Sequence, residues 1–240
     1  MMEKMNIVIP MAGAGKRFEL AGFKDPKPLI MVNGKPMIEV VLENLKIDGN
    51  YIFIVQSEHN KKYNLKEFLS NICPKSVIVE IDGLTDGAAR TVLLSEGFIN
   101  NDYPLLICNS DQWIEWDSNK FLEFVTSENL DGSVLTFNSD SPKHSYAKIE
   151  NELVIEFAEK KVISNDATVG IYYWKKGSEF VKCAYSMIEK NIRTNNEFYI
   201  CPVYNELIQK GGKIKTFRVS KMLGMGTPEE LNNYLNEIKI

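Results

Sequence analysis

With 240 residues, 44% of them hydrophobic and 25% charged, the chain can bury a substantial single core, and its composition is not that of a disordered protein. Its 28 basic and 32 acidic residues leave a net charge of −4, which argues against a general nucleic-acid surface, so any anion has to be caught locally. No apolar run approaches the roughly 18 residues of a membrane span, and the opening passes straight into a strand, so the sequence predicts a cytoplasmic protein with no membrane partner.

The chain opens on the apolar run Ile7-Val8-Ile9, which reads as a buried strand. It breaks into a loop, Met11-Ala12-Gly13-Ala14-Gly15-Lys16-Arg17, built like a phosphate cradle. Gly13 and Gly15 let backbone N–H groups approach an anion, and Arg17 can fork two donors onto phosphate oxygens. Two better-known glycine motifs fail here. A Walker loop is excluded by Pro10, five residues before Gly15, and by Arg17 after Lys16; a dinucleotide fingerprint is excluded by Phe18 where a third glycine belongs. Lys27 stands between Pro26 and Pro28, which predicts an extended backbone aiming its ammonium. A helix is expected from 36 to 46.

Next come an apolar strand over 51–56, a polar helix over 58–72, a strand over 76–81, a helix over 87–98 and a buried strand over 104–108. Unbroken apolar strands alternating with helices indicate a Rossmann-like, mostly parallel mixed sheet sandwiched by helices, with ligands at the carboxyl ends of the strands. Two loops lie at such ends. In the first, Asp86, Gly87 and Ala88 leave room for a flat base, although Asp86 also suits a helix N-cap. In the second, Asn109 and Asp111 follow a buried strand, and Asp111 is placed to hold Mg²⁺ against phosphates. Trp113 and Trp116 suit a lid or, more simply, aromatic core. The four cysteines form no C-x-x-C pair, and His59 and His144 cannot make a zinc site alone.

After a helix over 117–129 and a strand over 132–138, the pattern shortens to antiparallel strands: 145–149 and 153–157 form a hairpin around Asn151, followed by a strand over 168–174. A helix over 177–191 follows. Thr227-Pro228-Glu229-Glu230 then signals a final helix by its N-cap, first-turn proline and capping box. With no repeat or low-complexity linker, one domain is expected, with 1–141 as a nucleotide-binding core, 142–174 as a small antiparallel substrate-binding lobe and 175–240 as C-terminal helices completing the site.

The segments MAGAGKRF and DPKPLIMVNGKPMIE resemble the signature loop and Pro-Lys-Pro segment of the sugar-phosphate nucleotidyltransferases, a family that includes thymidylyl- and uridylyltransferases and, more distantly, cytidylyltransferases. Later matches extend the likeness over nearly the whole chain. The resemblance implies that residues 12–17 wrap an NTP triphosphate, that Lys27 steadies the phosphates, that Asp86 to Ala88 line the base pocket and that Asp111 binds the metal. AEKKVISNDATVGIYYW resembles the segment whose Glu159 and Lys160 would grip a sugar and its phosphate, with Asn165 in its S-N-x-A part. Tyr146 matches a Y-G pair in which Ala147 replaces the glycine, and Arg193 resembles an arginine that contacts the sugar phosphate. The family's second metal aspartate is replaced by Gly224, which leaves Asp111 alone or a substitute such as Asp86 or Glu197.

The expected chemistry is attack of an acceptor phosphate on the α-phosphorus of an NTP, with Arg17, Lys27 and Asp111 as the catalytic set and Mg²⁺ as cofactor. The loop resembles those of cytidylyltransferases more than those of thymidylyltransferases, which implies CTP, with UTP and dTTP open. The resemblance implies a phosphorylated sugar as acceptor, with Ala147 and Gly224 leaving a phosphorylated polyol open, as in the making of surface polysaccharide, and a homo-oligomer stays open. Two other readings remain at this level: a glycosyltransferase of similar build, which would ordinarily carry an Asp-x-Asp pair that Asp111-Gln112-Trp113 lacks, and a nucleotide-binding protein without turnover.

Overall fold

The computed structural model describes residues 5–238. Strand β1 (Asn6–Pro10) runs down the middle of the molecule, with Ile7, Val8 and Ile9 fully buried on both faces. It lies parallel to β4 (Asn50–Gln56) on one side and β6 (Leu105–Cys108) on the other, and β5 (Val77–Ile81) continues the parallel sheet beyond β4. Beyond β6 the sheet turns antiparallel through β11 (Asp166–Trp174), which also pairs with β8 (Gly132–Asn138) and β9 (Ser145–Glu150). A hairpin joins β9 to β10 (Leu153–Glu159), and β12 (Ile214–Arg218) lies parallel to β8. This nine-stranded mixed sheet has apolar clusters on both faces: Ile7 and Ile9 belong to one, Val8 to the other, as the two-residue period of a strand requires.

Helices cover the sheet in the order the hydrophobic pattern suggests, with several boundaries moved. After α1 (Lys16–Leu20), a ribbon of β2 (Met31–Val32) and β3 (Lys35–Pro36) leads into α2 (Met37–Leu45). The helix expected over 58–72 is two: α3 (Ser57–Tyr63) and α4 (Leu65–Ile72), broken at Asn64, whose φ of 50° is the left-handed conformation that asparagine tolerates. The one expected over 87–98 also divides, into α5 (Ala88–Leu93) and α6 (Glu96–Ile99); at the break the Ser95 hydroxyl donates to the Val92 carbonyl at 2.6 Å. Helices α7 (Ser118–Ser127), α8 (Gly177–Glu189), α9 (Val203–Gln209) and α10 (Pro228–Glu237) complete the layers. Among the described residues, no helix is long and apolar enough to cross a membrane.

Five strands escaped the sequence pattern: β2, β3, β12, and the pair β7 (Gln112–Glu115) and β13 (Lys221–Gly224), which lie antiparallel to each other outside the main sheet. Trp113 packs against Tyr234 and Trp116 against Phe121, so the tryptophans serve the core and not a lid. The hairpin expected as a substrate lobe continues the main sheet, and β11, assigned to that lobe, is one of its inner strands. Residues beyond 175 contribute β12 and β13 as well as helices.

Candidate functional site

A cleft of about 1180 Å³ opens over the carboxyl ends of β1 and β6. One wall is the loop after β1. Its base is pinned: the Met11 N–H donates to the Ile54 carbonyl at 2.9 Å, and the Gln56 amide donates to the Ala12 carbonyl at 2.6 Å. Gly15 turns the chain into α1 with a φ of 62° and packs against Lys27; a Cβ there would sit 3.7 Å from the Lys27 Cβ. Ala14, Gly15, Lys16 and Arg17 line the cleft, whereas Met11 and Ala12 are buried and Gly13 is an exposed loop residue outside it.

Lys27 does not sit in extended backbone. Pro26 is extended, and Lys27 heads a single 3-10 turn, Lys27–Leu29, closed by the Leu29 N–H on the Pro26 carbonyl at 2.8 Å. Pro28 fits because a first-turn N–H has no helical partner to lose. The turn carries the Lys27 ammonium to Asp111, where Nζ lies 2.7 Å from Oδ2.

Asp111 is fixed by what surrounds β6. The Asn109 N–H donates to the Gly170 carbonyl at 2.9 Å, and the Asn109 side chain lies over Gly170, where any Cβ would come within 2.2 Å of its amide nitrogen. Gly170 has a φ of 87° and sits where the β11–β8 register shifts. The Asp111 carbonyl accepts the Met225 N–H at 2.7 Å, which ties it to the connection between β13 and α10.

The far wall carries Glu159, Lys160, Tyr199 and Ser145. The Ser145 hydroxyl donates to Glu159, and the Lys160 ammonium donates to the Tyr199 phenol oxygen and stands 4.6 Å from the centre of its ring. Burial raises the Glu159 carboxyl above its ordinary value, with Ser145 and Lys160 acting against that shift. His144, also in the cleft, is lowered by burial and so favours the neutral imidazole at neutral pH. Cys108 is a sealed core thiol, pushed up to about 12 by burial.

Several residues expected at the site are elsewhere. Tyr146 is fully buried and its hydroxyl donates to the Ser141 carbonyl at 2.7 Å, while Asn165 is exposed at a turn; neither lines the cleft. Arg193 does not pair with Glu197. It lies 3.9 Å from the centre of the Phe198 ring and binds Asp86, with Nη1 to Oδ2 at 2.9 Å. Asp86 holds Arg90 as well, Nε to Oδ1 at 2.9 Å, so its carboxylate is committed to two guanidiniums and is not free to replace a metal ligand. Gly87 serves close packing: with a φ of 130°, a Cβ there would lie 2.3 Å from the Phe198 nitrogen. Of that loop, Ala88 alone lines the cleft.

Tyr199, Gly226 and Glu230 line the cleft without having been singled out for it. Glu230 was hidden inside a helix-cap motif that is itself real, since the Thr227 hydroxyl accepts the Glu230 N–H at 3.1 Å. Its side chain, however, turns into the cleft.

Among the described residues, no three His, Cys, Asp or Glu side chains gather as a metal cage. A cation carried in on phosphates needs less, since magnesium keeps waters and substrate oxygens beside one or two carboxylates. The Asp111 side of the cleft fits that demand: Gly226 presents no side chain, and a Cβ there would fill the space 2.7 Å from Asp111 Oδ2.

The cleft thus combines a strand-to-loop cradle bearing cations, a lysine–aspartate pair and a polar wall of Ser145, Glu159, Lys160 and Tyr199. The nucleotidyl transferase family model matches residues 7–215, and the chain belongs to that family. It is 25% identical over 241 residues to the bifunctional protein GlmU of Methanocaldococcus jannaschii, covering 98% of this chain and 51% of that protein. It is 29% identical over 184 residues to the mannose-1-phosphate guanyltransferase of Schizosaccharomyces pombe, covering 70% of this chain and 49% of that one. The chain thus spans about half the length of these curated relatives. Among solved structures, the nucleoside-diphosphate-sugar pyrophosphorylase of Vibrio cholerae RC9 superposes with a TM-score of 0.80 at 26% identity, covering 96% of this chain and 99% of that one.

Proposed function

We propose that this chain transfers the nucleoside monophosphate of an NTP, with CTP favoured by the form of its loop, to a phosphorylated sugar or polyol, releasing pyrophosphate. The product would be a nucleotide-sugar or CDP-polyol for surface polysaccharide. The observation that carries the reading is the Lys27–Asp111 pair, 2.7 Å apart, set between the cationic loop and the Glu159–Lys160–Tyr199 wall of one cleft.

In this reading Arg17 and the loop amides hold the outer phosphates, and Lys27 neutralises charge at the α-phosphate. Lys160, fixed on the Tyr199 phenol, orients the acceptor's phosphate, and Glu159 takes its hydroxyls. That phosphate is already ionised near neutral pH, so no general base is needed. Mg²⁺ held by Asp111 would supply further neutralisation of the triphosphate.

The test is a matrix of the four NTPs against phosphorylated sugars and polyols, read by pyrophosphate formation. CTP with one acceptor class should give turnover. Release of a nucleoside diphosphate from a nucleotide-sugar, with no pyrophosphate from any pair, would establish glycosyl transfer instead.

A further inference from the structure

Where β13 runs into α10, two glycines lie under two carboxylates. A Cβ on Gly226 would stand 2.7 Å from Asp111 Oδ2 and 3.3 Å from Glu230 Oε2; one on Gly224 would stand 3.2 Å from the same Glu230 oxygen. The two acids, 119 positions apart in sequence, therefore converge on a single point kept open by the absence of side chains. Neither glycine has a positive φ, so the backbone does not demand glycine here; the space does.

Asp111 is partnered by Lys27. Glu230 has no cation within ion-pair distance among the described residues, and its backbone N–H is already satisfied by Thr227. Two like charges aimed at one gap, with a single ammonium against one of them, favour a shared cation. A carboxylate pair on a substrate-filled cleft is the donor set that magnesium accepts. The rival acids fail on position: Asp86 is held by Arg90 and Arg193, and Glu197 stands outside the cleft walls.

We propose that Glu230, from the first turn of α10, is the second protein carboxylate for a divalent cation bound with Asp111, occupying from the helix side the space that a side chain at position 224 would otherwise fill. The inference rests on the reading that the cleft takes a triphosphate with its metal. It also gives the first turn of α10, which lines the cleft through Glu230, a role at the metal position.

Mn²⁺ alone is the probe, titrated into the full chain and followed by loss of the free-ion EPR signal. Relative to the parent protein, D111N and E230Q should each weaken Mn²⁺ binding by roughly tenfold or more. The double variant E230Q/G224D should return it to within about threefold of the parent, because an aspartate at 224 reaches the same gap from the strand. Circular dichroism melts establish that each variant is folded, and E230A serves as a second probe if E230Q is not. Parent-like Mn²⁺ binding by E230Q beside a defective D111N would overturn the proposal while leaving the transferase reading intact. So would a rise in acceptor KM in E230Q with Mn²⁺ binding unchanged, or a parent protein that takes up no Mn²⁺. The pyrophosphate matrix, which uses none of these variants, judges the transferase reading separately.

Discussion

The Lys27 ammonium lies 2.7 Å from the Asp111 carboxylate, joining a 3-10 turn after the first strand to a loop after the sixth across 84 positions of sequence. With side chains 25% and 23% exposed, the pair is worth little as a stability device. Its value lies in placing opposite charges where a phosphate chain and its cation would be held.

Replacing Lys27 with alanine should therefore lower kcat by about two to three orders of magnitude, the range found when one preorganised charge is removed from a transition state. The melting temperature should move by no more than a few degrees. D111N should behave alike. Pre-steady-state and steady-state pyrophosphate release check both; near-parental rates would remove that side chain from the mechanism.

Arg193 is braced by Phe198 and Asp86 and does not line the cleft. Arg193→Ala should cost about 1–2 kcal/mol of unfolding free energy in urea titrations, from the lost cation–π contact and ion pair. The acceptor KM should stay within about threefold of the parent. A tenfold rise in KM with stability unchanged would instead make Arg193 an acceptor ligand.

Gly87→Ala should be costly for a different reason. The added Cβ meets the Phe198 backbone at 2.3 Å, and backbone cannot swing aside as a side-chain tip can. Together with a φ of 130°, the clash should destabilise the protein by about 2–4 kcal/mol in denaturant unfolding. It should also disrupt the hydrogen bond from the Ala89 N–H to the Phe198 carbonyl, now 2.9 Å, giving faster amide exchange at Ala89.

Glu159 supplies the pH dependence. Burial raises its folded-state pKa above 4.5, so the folded protein binds its proton at a higher pH than the unfolded chain does. Ionised Glu159 therefore weighs against the fold above the folded-state pKa, and that burden fades as pH falls toward 4.5. E159Q should be more stable than the parent at neutral pH, by a margin that shrinks on acidification through this window. Urea titrations from pH 4 to 8 measure the difference; a constant margin would contradict the shift.

The local sequence made some of this molecule legible because the forces involved were local. Ile7 to Ile9 are apolar without interruption since both faces of a central strand are covered, and Gly15, Lys16 and Arg17 follow in a spacing that reads as an anion loop. The hairpin around Asn151 is likewise a short-range matter, with Asn151 and Glu152 both at positive φ. By contrast, β7 and β13 are four-residue strands that exist only through each other, and nothing in either segment alone announces a partner more than a hundred positions away.

What the chain determined by itself was therefore a glycine-bearing loop at the end of a buried strand, a lysine held between prolines, and an acid just past another strand: the family and half of its cleft. Tertiary structure decided which charges are spent and which are free. Arg193 and Asp86, written as ligands in the sequence, neutralise each other beside Phe198, while Glu230, written as a helix cap, faces Asp111 over Gly226. The reason is electrostatic: what a charged group does is set by the nearest opposite charge and the solvent it has lost, and both are properties of three-dimensional neighbours that linear order does not specify.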